Sequence, residues 1–285
     1  MNTSIEVGKI NNLKIERFTE FGIFLVPIDG ESILLPNIYV TEEMELSQRI
    51  DVFVYSDSED RIVATTLKPA GMVGDFVALK VIDSTKYGAF LDWGLAKDLL
   101  VPKKFQKTIH KVGEIKVIRI MEDVEYSRIF GTEKFSEFFS KNVWDLKRNQ
   151  EVFLMVFHKT PMGYKVLVSE NKQDFKFEGM LFENEVFQTL EIGQKLTGYI
   201  KQVRDDGKID ISLQPIGNKS TKINKNKVLG VLEKNGGSLD FTYKSDAEDI
   251  SETFGISKKS FKKILTELIE KKLIKLGSEN IQLIK

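Results

Sequence analysis

The sequence contains no cysteine. That absence removes disulfides, thiolate nucleophiles and cysteine-ligated metal sites, and it agrees with a reducing compartment. Histidine is almost as scarce: His110 and His158 are the two present, and neither lies in a recognisable motif. No apolar run approaches the roughly 18 residues of a membrane helix, and Glu6 and Lys9 stand where a signal peptide would be apolar. The expectation is a cytoplasmic protein that does not enter a membrane. A phosphate-cradling Gly-x-x-x-x-Gly-Lys loop is also missing. Two carboxylate groups, Glu122 with Asp123 and Glu125, and Asp205 with Asp206 and Asp210, are dense enough to suggest a metal. Both fall where hairpin turns are expected, and turns favour acidic residues for conformational reasons. Catalysis, a metal and a cofactor are therefore not expected.

Net charge is absent as well, with 42 basic and 42 acidic residues. The zero conceals a gradient of −6 over residues 1–70, +1 over 71–145, 0 over 146–216 and +5 over 217–285. A nucleic-acid binder with this profile carries its basic character locally, and its acidic first segment opposes phosphate. Arginine is missing beyond Arg204. Because arginine is the commonest reader of guanine edges in the major groove, a sequence-specific DNA-binding helix is not expected there. The 285 residues leave room for two to four domains.

The most informative stretch is 86–104, Lys-Tyr-Gly-Ala-Phe-Leu-Asp-Trp-Gly followed by Leu-Ala-Lys-Asp-Leu-Leu-Val-Pro-Lys-Lys. Gly88 lies inside an apolar run, where glycine marks a bulge or a close backbone approach. A bulge there would turn Tyr87 and Phe90 onto one face, with Lys103 and Lys104 following. Rings for bases and cations for phosphates are what single-stranded nucleic acid requires. Trp93, by alternation from Phe90, points inward as a packing residue. Residues 20–26 match 86–92 at an offset of 66, Leu34-Leu35-Pro36 matches Leu100-Val101-Pro102 at the same offset, and Asp60-Arg61-Ile62 matches Ser127-Arg128-Ile129 at 67. Three landmarks in one order make a tandem repeat of about 65 residues, which suits a small five-stranded barrel.

The expected strands of the first copy are 5–16, 21–28, 33–35, 50–55 and 61–66, with one helical turn at Thr41. Those of the second are 76–83, 88–93, 98–101, 114–121 and 128–133. Residues 136–147 predict a connecting helix whose aromatics pack between barrels. A divergent third copy places strands at 151–159, 163–169, 177–182, 194–203 and 208–213, with a hairpin turn at Asp206-Gly207. Residues 214–220 read as a linker. Beyond it the period becomes helical: one helix through Val228 and Leu232, a second over 246–254, and a third over 258–272 capped by Ser257. Residues 273–276 and 281–284 form a hairpin. The fold class is mainly β with a C-terminal α+β domain: three tandem barrels (1–68, 69–146 with its helix, 147–216) and a winged helix-turn-helix (217–285).

The Gly74-Asp75-Phe76-Val77 opening, Tyr87-Gly88-Ala89-Phe90, Val112-Gly113-Glu114 and the Arg128-Ile129 close resemble the S1 RNA-binding domain of ribosomal proteins and ribonucleases. Residues 5–135 match it twice and 148–214 weakly. Three such units and a winged helix carrying Ser257-Lys258-Lys259-Ser260-Phe261-Lys262-Lys263 resemble the conserved virulence factor B family of Gram-positive bacteria along essentially the whole chain. That resemblance implies a non-catalytic RNA-binding protein linked to virulence-gene regulation. It also implies an RNA face at Phe21, Phe24 and Arg61, at Tyr87, Phe90 and Arg128, and at Lys208. At the place of the S1 histidine stand Pro36, Pro102 and Phe182, which removes one polar base contact from every copy and points to stacking-led binding of low sequence selectivity. Lys258, Lys259, Lys262 and Lys263, at a helix N-terminus, would hold the RNA backbone. The alternative is an adaptor that docks on the ribosome or an RNA-processing machine.

Overall fold

Strands dominate the computed structural model, which describes residues 4–123, 125–172, 174–186, 189–216 and 218–284, with the backbone alone for 218–222. The chain forms two compact units, residues 1–139 and 140–285.

In the first unit, β1 (Ile10–Thr19), β2 (Gly22–Val26), β3 (Ile33–Pro36), β4 (Arg49–Ser56) and β5 (Ile62–Thr65) close into a barrel in the order β1-β2-β3-β5-β4. Alternation explains the curl: Leu13 and Ile15 of β1 point into the core while Lys14 and Glu16 face water. Parallel pairing of Leu34 with Val63 closes the ring. The helical turn falls at Asn37–Tyr39, directly after β3, and not at Thr41.

A second set follows, β6 (Phe76–Ser84), β7 (Gly88–Asp92), β8 (Leu99–Pro102), β9 (Ile115–Asp123) and β10 (Arg128–Thr132), ordered β10-β9-β6-β7-β8. Here β8 and β10 share no ladder among the described residues. Packing closes the seam instead. A Cβ on Gly131 would stand 2.8 Å from Val101 Cγ2, and the Glu133 amide donates to the Phe105 carbonyl at 2.9 Å. The expected bulge is also displaced, lying at Ile82 on β6 opposite Phe90 and Leu91. Gly88 serves the close approach: a Cβ there would come within 2.4 Å of the Val101 carbonyl oxygen.

The two barrels of this unit share apolar packing. Phe53, Tyr55 and Val63 of the first join Trp93, Leu95 and Leu99 of the second in one buried cluster. The Phe53 and Trp93 rings meet edge to face at 5.8 Å, so Trp93 is the packing residue the alternation indicated. The expected connecting helix over 136–147 is absent apart from a single 3-10 turn at Ser136–Phe138. Phe135 and Phe139 pack instead on Phe76, at 5.1 and 6.4 Å, while Trp144 is exposed.

In the second unit, β11 (Glu151–Thr160), β12 (Gly163–Ser169), β13 (Phe177–Phe182), β14 (Lys195–Val203) and β15 (Ile209–Ser212) close a barrel of the same order as the first. Then come α1 (Asn218–Lys234), β16 (Ser238–Leu239), α2 (Ala247–Phe254), α3 (Lys258–Glu270), β17 (Ile274–Leu276) and β18 (Ile281–Leu283), with a small sheet β16-β18-β17. The expected linker is shorter than 214–220 because α1 already begins at Asn218; Gly217 lies outside the described residues. Ser257 caps α3 by accepting from the Ser260 amide at 3.2 Å, and α3 stops at Glu270 because Lys272 turns to φ +54°. The apolar stripe of α3, Phe261, Ile264, Leu265 and Leu268, is buried against Val228, Leu232 and Phe254. No described helix is long and apolar enough to cross a membrane.

Candidate nucleic-acid interface

The groove that concentrates the expected residues lies on the second barrel, where β7, β8 and β10 run side by side. Phe90 is central to β7, Pro102 ends β8, and the 3-10 turn Lys103–Phe105 that follows carries Lys104 and Phe105 outward. Arg128 and Phe130, two residues apart on β10, face the same way. Together with Lys97, Leu100 and three carboxylates, Asp60, Asp98 and Asp123, they line an open groove of about 630 Å³. Its floor is aromatic: Phe105 and Phe130 stack at 4.8 Å with 22° between their planes, and the Lys104 ammonium lies 4.9 Å from the Phe105 ring centre. Phe90 is half-buried beside them. Such an arrangement offers flat apolar surface for unpaired bases and cations at its edge.

The expected residues divide between groove and surroundings. Phe90, Lys104 and Arg128 line it. Tyr87 is 71% exposed but stands in the turn before β7, outside the lining, with Lys86 over its ring at 5.0 Å. The bulge expected at Gly88 would have put Tyr87 beside Phe90; with the bulge on β6, it does not. Lys103 is exposed and its amide donates to the Tyr87 carbonyl at 3.0 Å. On the first barrel Phe21 is exposed and Phe24 is covered by the Arg17 guanidinium at 4.0 Å.

All three cations at the start of the last strand are ion-paired. Arg61 binds the Asp57 carboxylate at 2.7 Å and Glu59 at 3.0 Å, Lys208 binds Asp206 at 2.6 Å, and Arg128 donates from Nε to Asp60 at 3.2 Å. The Arg128 guanidinium holds the Asp60 carboxyl below its usual range. Burial raises the Asp57 carboxyl, but hydrogen bonds from Arg61 more than offset it and leave it lowered. Burial also lowers the Lys97 ammonium. On the winged helix, Lys259, Lys262 and Lys263 are exposed along α3, and Lys258 is half-buried with its ammonium 3.4 Å from the Lys244 carbonyl.

Sequence reasoning missed Phe105, Phe130 and Lys97. The signal was available for two of them, because Phe130 shares the face of Arg128 by strand alternation and Phe105 directly follows the lysine pair. Of the two carboxylate groups weighed for a metal, Asp206 pairs with Lys208 and Asp210 with Arg204. Among the described residues no group of three or more candidate ligands converges.

Both ends of the chain match known domain families. Residues 7–67 match the S1 domain, and 226–283 match the CvfB-like winged helix domain. The chain thus carries an S1 domain and a CvfB-like winged helix domain. It is 28% identical to the uncharacterized protein YitL of Bacillus subtilis (strain 168), over 94% of this chain and 90% of that one. It is 25% identical to conserved virulence factor B of Staphylococcus epidermidis, over 98% and 95%. A solved multidomain protein with nucleic acid binding domains from Streptococcus pneumoniae is 25% identical over 98% of each chain, with a TM-score of 0.45. S1 and winged-helix domains are nucleic-acid-binding types, and the similarity to conserved virulence factor B runs from end to end.

Proposed function

We propose that this chain binds single-stranded RNA, with little sequence selectivity, through the groove of the second barrel, and that the lysines of α3 add contacts to the RNA backbone. Its domains under this reading are 1–68, 69–146, 147–216 and 217–285, and its role is non-catalytic, in post-transcriptional regulation of the kind the name conserved virulence factor B suggests. The observation that carries the reading is the Phe105–Phe130 stack beside Phe90 in a groove edged by Lys104, Lys97 and Arg128. Rings accept any base, whereas the proline at the S1 histidine place, Pro102, offers no base-reading donor.

The test is a titration of the full chain with labelled oligouridine, the matching single-stranded DNA and a duplex. Binding of the single strands that weakens as salt rises, with the duplex weaker, is the expected result. A folded Phe90→Ala, Phe130→Ala double variant that binds as well as wild type rejects the groove. No binding to any oligonucleotide at low salt would favour the docking-adaptor alternative.

A further inference from the structure

The groove on the second barrel is not lined by that barrel alone. Ser58 and Asp60, from the β4–β5 turn of the first barrel, enter its wall. The Asp60 carboxylate faces Arg128 with both oxygens, one taking Nε at 3.2 Å and the other a terminal guanidinium nitrogen. The Lys97 ammonium lies 3.8 Å from the same carboxylate and donates to the Asp57 carbonyl at 2.6 Å. A fork of two guanidinium donors on two anionic oxygens is how arginine takes a phosphate.

The turn that presents Asp60 is stiff. The Asp57 carboxylate accepts from the Glu59 and Arg61 amides at 2.9 and 3.0 Å, and its carbonyl accepts from the Asp60 amide at 3.0 Å. Asp60 itself sits at φ +61°, a conformation that aspartate tolerates better than most residues. The ion pair is poorly explained as a fastener. Both partners are open to solvent, Arg128 at 57% and Asp60 at 45%, where such pairs contribute little. The two barrels are already joined by the Phe53–Trp93 core.

We infer that Asp60 is a built-in stand-in for an RNA phosphate: the acidic turn of the first barrel occupies the seat on Arg128 and Lys97, and a bound strand must displace it. This rests on the groove reading above and adds its regulation. The acidic first barrel, which opposes phosphate by its net charge, thereby sets the strength of the second.

The experiment titrates the full chain with labelled oligouridine over a range of salt, comparing wild type with Asp60→Asn, Asp29→Asn and Phe90→Ala. Asp29 is an exposed carboxylate of the same barrel outside the groove lining, and it controls for the change in net charge. The expected result is tighter binding by Asp60→Asn, by roughly two- to fivefold, the worth of an exposed ion pair read as a ratio. Because the same phosphates are seated in both proteins and only the competing carboxylate is gone, the plot of log affinity against log salt should be at least as steep as for wild type. Asp29→Asn should change much less. Unchanged or weaker binding by Asp60→Asn, or an equal gain from Asp29→Asn, overturns the stand-in while Phe90→Ala still reports the groove. If Phe90→Ala binds as wild type, the groove reading itself has failed and the stand-in falls with it.

Discussion

The second and third barrels place different chemistry at matching positions. Phe90 on β7 corresponds to Lys165 on β12, Phe105 to Glu185 after the third strand, and Phe130 on β10 to Asp210 on β15. Where the second barrel stacks rings, the third pairs charges. Lys165 binds Glu178 at 2.7 Å, and Arg204 binds Asp210 at 2.9 Å while lying 5.5 Å over the Phe182 ring. Gln202 donates to Asp210, and Glu185 accepts from Lys201 and Ser212. The rest of that unit holds to this barrel, since Gln214 donates to the Gly255 carbonyl at 3.0 Å and accepts from Asn224 at 2.7 Å. One scaffold thus supports an open stacking surface in one copy and a self-satisfied polar network in the next, because five strands fix the core and leave the outward faces free to differ.

The sharpest way to break this comparison is to remove Arg204. Asp210 is 4% exposed, so Arg204→Ala leaves a buried carboxylate with Gln202 as its principal donor. That should destabilise the second unit, less than for a fully buried pair because Arg204 is part-exposed, read by urea or thermal unfolding, with RNA affinity unchanged. Next in size, Phe90→Ala should weaken oligouridine binding by about 1–3 kcal/mol, whereas Lys165→Ala at the matching position should not alter it. Replacing Lys103 and Lys104 by alanine should flatten the salt dependence by about 0.7 for each phosphate they neutralise. The same measurement on Lys258 and Lys259 weighs α3 against the barrel.

The smallest effect concerns acid. Glu133, half-buried just after β10, would be raised by burial, but His110, whose Nε2 lies 2.8 Å away, and the Lys107 amide lower its carboxyl below the usual value. A lowered folded-state value gives stability that is present above the ordinary carboxylate range, about pH 4.5, and is lost as pH falls through the folded value. The first unit should therefore soften on acidification, and a Glu133→Gln variant should soften less, as read by thermal unfolding at pH 7 and pH 4.

Strand positions were legible because alternation and turn chemistry are local: fourteen of the fifteen barrel strands fall within two residues of the runs that suggest them, and β1 starts five residues later than its run. The misplaced bulge and the missing helix over 136–147 share another cause. Glycine in a strand suggests a bulge in that strand, yet Gly88 answers to the Val101 carbonyl on one side and the bulge at Ile82 lies on the other. Phe135 and Phe139 are spaced as in a helix, but Phe76, far away in the chain, decides where they rest. The ion pairs on Arg61, Arg128 and Lys208 were equally hidden, because a cation reads alike in sequence whether free or occupied.

The apolar body shared by Phe53, Tyr55, Val63 and Trp93 has a mechanical consequence. It ties the acidic barrel to its neighbour, so under the stand-in proposal an arriving strand would move the Asp60 side chain, not the stiff turn or the barrel that carries it. Exposed side chains change rotamer in picoseconds to nanoseconds, well ahead of whole-domain rearrangements. Exchange of Asp60 for a phosphate on Arg128 should then be fast and should leave both cores undisturbed.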